Sequence, residues 1–198
     1  DDRDRYRFVH DLFEFNDTHP AQSMYHHVKT SEVRLQKLIE AGGQRELLVE
    51  ILCFCLMPNH YHLLLRQKRE GGVTEFMRKL GTGYTNYFNI KYDRVGSLFQ
   101  GKFKAVHVTK EAHLLYLPHY IHLNPLDLYM PEWRDKKLRS PKKALAFLES
   151  YRWSSYPDYT GKKNFPLVTQ GDFLLKVYGD PTPREYRKMM QEWLEEFP

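Results

Sequence analysis

The sequence predicts an α+β fold: a βαββαβ unit without its first strand, followed by one more helix and a helical extension. Three observations predict it. The apolar run ELLVEILCFCLM, 46–57, is rich in strand formers, turns at Pro58-Asn59 and returns as HYHLLLR, 60–66. The segments on either side of that hairpin carry apolar residues at helical spacing. SLFQGKFKAVHV, 97–108, has strand character again, with a bend or bulge expected at Gly101.

Each element has its own justification. Residues 2–15 place Tyr6, Val9 and Phe13 on one helical face. SEVRLQKLIEA, 31–41, reads as a second helix, capped by Thr30 or Ser31 and stopped by Gly42-Gly43. After the hairpin, Gly71-Gly72 breaks the chain, and Thr74 is placed to cap a helix through about Tyr92. Its apolar side is Phe76, Leu80, Tyr84, Tyr87 and Phe88, and Gly81 and Gly83 suggest a close approach. KEAHLLYLPHYIHL, 110–123, is helical in pattern. Pro118 is expected to kink or restart it, and Asn124-Pro125 to end it. Ser140-Pro141 opens a helix through Glu149, and YRWSSYPDY, 151–159, reads as an aromatic turn region. Residues 182–196 form an amphipathic helix with Tyr186, Met189, Trp193 and Leu194 inward.

Composition narrows the function classes. The 198 residues are 41% hydrophobic and 15% aromatic, enough for a real core, which argues against disorder. No apolar run approaches the ~18 residues of a membrane span, and no signal peptide opens DDRDRYRF. Cys53 and Cys55 are too close in sequence for a comfortable disulfide on a strand, so a reducing, cytoplasmic setting is expected. Net charge is +5 and the pI about 9.0, a mild bias towards polyanions. Between 91 and 110 stand Lys91, Arg94, Lys102, Lys104 and Lys110 against Asp93, interleaved with Tyr92, Phe99 and Phe103. That suits cations on phosphates and bases on aromatics, and equally a solvated basic loop.

The hairpin carries the chemistry. His60 and His62 are two apart, so on a strand they share a face. Two imidazoles on one face can share a divalent metal, with a third ligand from elsewhere. Two partly exposed histidines on a sheet face are the plain alternative. Adding Cys53 and Cys55 would allow a structural zinc site, though C-x-C-x4-H-x-H is not a usual zinc spacing and core cysteines are commoner. Tyr120 and Asn124 lie four apart on one helical face. Asn124 offers a neutral oxygen to a hard ion such as Mg²⁺ or Mn²⁺, and Tyr120 a phenol that can act as nucleophile beside a bound phosphate. Tyr116, one turn earlier, competes with Tyr120 for that role. His119 and His122 do not share the Tyr120 face well.

LMPNHYHLLL, YTNYFNIKYDRVGSLFQGKFKAVHV, HYIHLNP and YRWSSY come one after another in an order and spacing that resemble the HUH single-tyrosine transposases, in particular the branch associated with REP palindromes. The likeness spans roughly residues 1 to 175. It implies a ferredoxin-like antiparallel sheet with helices mainly on one face, and activity on single-stranded DNA near hairpins. It implies His60, His62 and Asn124 as ligands of Mg²⁺ or Mn²⁺, and Tyr120 as the nucleophile that forms a 5′-phosphotyrosine. It implies a DNA-contacting segment around Arg94, Phe99, Gln100, Lys102 and Lys104. A catalytic domain over 1–130, a packed helical extension over 131–198, and a monomer or homodimer are the corresponding expectations. Relatives begin with a strand, and this sequence opens in the segment that lies after such a strand. A hairpin-binding module that does not turn DNA over is the alternative function.

Overall fold

A computed structural model of the protein describes residues 1–19, 45–135, 137, 138 and 140–196. The helix expected over 31–41 lies outside the described residues. In chain order the described elements are α1 (Asp2–Glu14), β1 (Val49–Leu56), β2 (Tyr61–Gln67), α2 (Gly72–Lys91), α3 (Glu111–Leu123), two 3-10 turns (Asn124–Leu128 and Pro131–Asp135), α4 (Pro141–Ser150), α5 (Tyr156–Tyr159), α6 (Asp172–Val177) and α7 (Pro183–Glu196). The expected α+β class holds, with β1 and β2 pairing as a two-stranded antiparallel sheet. The chain divides into two compact units. One comprises Asp1–Arg5, Glu50–Arg66 and Phe103–Pro198, the other Tyr6–Val49 and Gln67–Lys102.

The first unit is built on the hairpin. Met57 N–H donates to the His60 carbonyl at 2.8 Å and closes the turn. β1 buries Leu52, Cys53 and Cys55, and α3 adds Ile121 and Leu123 to the same core. The second edge of β1 would leave backbone groups open. YRWSSYPDY covers it: Leu56 N–H donates to the Trp153 carbonyl at 2.8 Å, Phe54 N–H to Ser155 Oγ at 2.9 Å, and Tyr159 Oη to the Leu52 carbonyl at 2.6 Å. The segment expected as an aromatic turn is thus an edge cover that reaches β1 through main-chain groups and through the hydroxyls of Ser155 and Tyr159. α3 runs unbroken through Pro118. Ser140 caps α4 as expected, accepting from Lys143 N–H. On α7, Tyr186, Met190 and Leu194 are buried, so Met190 takes the inward place expected of Met189, while Trp193 is partly buried.

His122 on α3 sits in this core between Tyr186 Oη, 3.0 Å from its Nδ1, and Ser155 Oγ, 2.8 Å from its Nε2. Burial first, and His119 second, push its imidazole down to about 3. An unfolded histidine titrates near ~6.5. Between those values the unfolded chain binds the additional proton. Stability is therefore full above about pH 6.5 and falls as acid is added, by about 1.4 kcal/mol per pH unit from this residue. Urea unfolding at pH 7 and pH 5 measures the slope, and His122→Gln is expected to flatten it.

In the second unit, α1 buries Phe8, Val9 and Leu12, while Tyr6 turns outward, against expectation. The Asn16 side chain brackets the start of β1, donating to the Val49 carbonyl at 2.9 Å and accepting from Val49 N–H at 3.0 Å. α2 starts at Gly72, not at Thr74, because Gly71 takes a left-handed turn (φ 70°) before it. A Cβ on Gly72 would lie 2.3 Å from the Leu48 carbonyl oxygen, and one on Gly83 would lie 2.2 Å from the Phe15 ring. Gly72→Ala is expected to cost about 1–3 kcal/mol, since backbone is the obstacle. A drop in the urea midpoint checks it.

The strand expected over 97–108 is not formed; β1 and β2 are the strands of the described residues. Gly96 (φ 91°) and Gly101 (φ 102°) take left-handed conformations that interrupt an extended run. Local bonds replace a ladder: Asn89 Nδ2 donates to the Gly96 carbonyl at 2.8 Å, and Ser97 Oγ to the Phe99 carbonyl at 2.6 Å.

Candidate active site

The turn and strand of the hairpin aim the two histidines. His60 ends the turn and is exposed; His62, two residues on, is the second residue of β2 and half-buried. Their rings stand 5.0 Å apart at 88°. His60 Nδ1 lies 2.8 Å from Asn59 Oδ1. With Nδ1–H donating there, Nε2 carries the lone pair. His62 Nε2 is buried and has no hydrogen-bond partner. Burial, then the nearby His60 and Arg134, hold the His62 imidazole below its usual range; Asp127 and the facing Asn124 amide oppose them. A neutral imidazole with a buried unpaired nitrogen is a costly arrangement unless something binds it.

α3 supplies the other two side chains. The Tyr120 ring packs edge-on against His62, with centroids 5.9 Å apart. Asn124, at the end of the helix, is 1% exposed and donates from Nδ2 to the Tyr120 carbonyl at 2.7 Å. Its Oδ1 accepts from Arg134 Nη2 at 3.3 Å. His60, His62, Tyr120 and Asn124 are thus brought together within one unit. Among the described residues no three His, Cys, Asp or Glu side chains converge as a metal site. Two imidazole nitrogens and an amide oxygen remain as donors here, a set of the kind a divalent cation takes, and the Nε2 of His62 is left open to one.

Tyr116 stacks on Tyr120 at 5.9 Å and leans on Trp193 at 5.5 Å. Burial, then Tyr120, raise its phenol, with Arg134 opposing. His119 turns into the core, with Nδ1 2.9 Å from the Leu115 carbonyl and its ring stacked on Trp193. Cys53 and Cys55 are fully buried free thiols, pushed up by burial, which suits plain core residues better than zinc thiolates.

Two residues here were missed in the sequence. Asp127 and Arg134 come from the two 3-10 turns after α3, and no spacing rule singles them out. Partial burial pushes the Asp127 carboxyl up, but hydrogen bonds from Arg134 and Trp133 outweigh it and the net shift is downward. The Asp127 hydrogen bond is the main reason Arg134 is held more firmly protonated than usual.

The segment expected to contact DNA is split. Arg94, Phe99, Gln100 and Lys102 belong to the second unit, and Lys104 to the first. Within the second unit the Arg94 guanidinium lies 5.6 Å over Phe88, and Phe99 lies 6.3 Å from Tyr84. Phe88 and Tyr92 are in contact at 4.4 Å, with Lys91 Nζ 4.9 Å over Tyr92. Arg94, Gln100, Lys102 and Lys104 are exposed.

The hairpin thus presents paired histidines to a tyrosine-bearing helix. The family model described as "Transposase IS200 like" matches residues 26–124, half of the chain, and the chain belongs to that family. It is a transposase, and DNA is its partner. The matched stretch contains His60, His62 and Tyr120 and ends on Asn124. No curated protein and no solved structure matches the chain. No helix of the described residues is long and apolar enough to cross a membrane.

Proposed function

We propose that the protein is a single-strand DNA endonuclease and strand transferase of the REP-associated branch, working at DNA hairpins in the cytoplasm as a monomer or homodimer. The observation that carries this reading is the buried, unpartnered Nε2 of His62 beside the Tyr120 ring. His60, His62 and Asn124 would hold Mg²⁺ or Mn²⁺. Once bound, that cation supplies Lewis-acid polarisation of a phosphate oxygen.

Tyr120 does the covalent work. Its Oη attacks phosphorus in line. The Oη–P bond forms as the P–O3′ bond breaks, leaving a 5′-phosphotyrosine and a free 3′-OH. The phenolic proton is lost to solvent, and the departing oxygen takes one up. The exchange of one phosphodiester for another lets a 3′-OH reverse the step without ATP. Arg94, Lys102 and Lys104 hold phosphates, Gln100 makes polar contacts, and Phe99 stacks on a base. The catalytic domain that bears His60, His62, Tyr120 and Asn124 spans 1–130, and 131–198 form the extension packed on it.

The test is incubation with labelled single-stranded hairpin DNA from the genomic flanks, run on a denaturing gel. A covalent band that needs Mg²⁺ or Mn²⁺ and disappears with EDTA is expected. Tight hairpin binding with no band under any metal would favour a binding module that does not cleave.

A further inference from the structure

Arg134 stands where a second cation would serve the reaction. Its guanidinium carbon lies 5.5 Å over the Tyr120 ring. Nε and Nη2 each donate at 2.8 Å, to Oδ1 and Oδ2 of Asp127, and Nη2 also reaches Asn124 Oδ1 at 3.3 Å. Asp127 is itself held by Trp133 Nε1, which donates to Oδ1 at 2.8 Å, and Trp133 is buried. The fork is therefore oriented from behind by a fixed carboxylate. Tyr120 is a further hydrogen-bond partner of the guanidinium. The side chain keeps 40% of its surface exposed, so a ligand can reach it. Arg134 also lies beyond the stretch matched by the family model.

The guanidinium is held across both the tyrosine ring and the Asn124 amide. A planar, part-exposed fork facing Tyr120 fits a phosphate oxygen. We propose that Arg134 is a catalytic residue of strand cleavage: its guanidinium holds a non-bridging oxygen of the scissile phosphate beside Tyr120, and Asp127 positions it. The proposal rests on the transposase reading above. As the Oη–P bond forms and the P–O3′ bond breaks, charge gathers on the non-bridging oxygens. A guanidinium already oriented stabilises that charge without reorganising.

Single-turnover adduct formation at saturating Mn²⁺ and saturating hairpin DNA tests this, with hairpin affinity and melting temperature measured alongside. Arg134→Ala is expected to slow the step by about 100- to 1000-fold, with affinity within about threefold of wild type. Added guanidinium ion is expected to restore part of the rate to Arg134→Ala and none to Tyr120→Phe. Arg134→Lys, which keeps the charge and loses the fork, is expected to fall between, and it decides the matter should the alanine variant melt. A wild-type adduct with Arg134→Ala at wild-type rate would overturn the inference and leave the transposase reading standing. So would a rate loss matched by an equal loss of affinity. No wild-type adduct at all would overturn the proposed strand cleavage through Tyr120, and this inference with it.

Discussion

Tyr120→Phe is expected to abolish the covalent protein–DNA adduct, a loss of at least about 10⁴-fold, and to leave the fold intact. In the proposed mechanism the phenol oxygen is the bond-forming atom, so no neighbouring group replaces it. The ring, by contrast, is kept. It packs on His62 and Tyr116, both at 5.9 Å, and phenylalanine fills the same space. A melting temperature within about 2 °C of wild type is expected. Tyr116→Phe is the control. Tyr116 lies a turn further from Asn124, leans on Trp193, and is raised by burial. Its hydroxyl is expected to be dispensable, with adduct formation within about threefold of wild type. Loss of the adduct in Tyr116→Phe and its survival in Tyr120→Phe would reverse the assignment.

His62→Ala carries the second large effect. Loss of a partner one shell further out costs a metal site about 10- to 100-fold, so loss of a ligand should exceed about 100-fold. The variant is expected to lose Mn²⁺ binding, read by electron paramagnetic resonance or calorimetry without DNA, and to lose the adduct in parallel. Stability is expected to fall only modestly: His62 Nε2 has no hydrogen-bond partner to lose, while its half-buried ring gives up contacts with Tyr120 and His60. Undiminished Mn²⁺ binding in His62→Ala would place the ion elsewhere.

Much of the site is legible in the sequence, and the reasons are local. An apolar run returning through Pro58-Asn59 can be little other than a hairpin, and its period of two places His60 and His62 together. Tyr120 and Asn124 share a face through the helical period in the same way. The features that are not legible depend on bonds that composition does not encode. Strand-forming residues at 97–108 are overruled by Gly96 and Gly101 and by the side-chain bonds of Asn89 and Ser97. YRWSSYPDY covers an edge partly through main-chain groups, which every sequence possesses, and partly through the Ser155 and Tyr159 hydroxyls, whose partners on β1 are distant in sequence. Arg134 resembles any charged residue on a surface turn until the chain folds it over Tyr120.

The most direct measurement is to isolate the DNA adduct, digest it with protease and nuclease, and locate the nucleotide-bearing residue by tandem mass spectrometry. A phosphonucleotide on Tyr120, joined through its 5′ phosphate, is the expected result. A modification on Tyr116, or on any residue other than Tyr120, would contradict the site proposed for the hairpin histidines and α3.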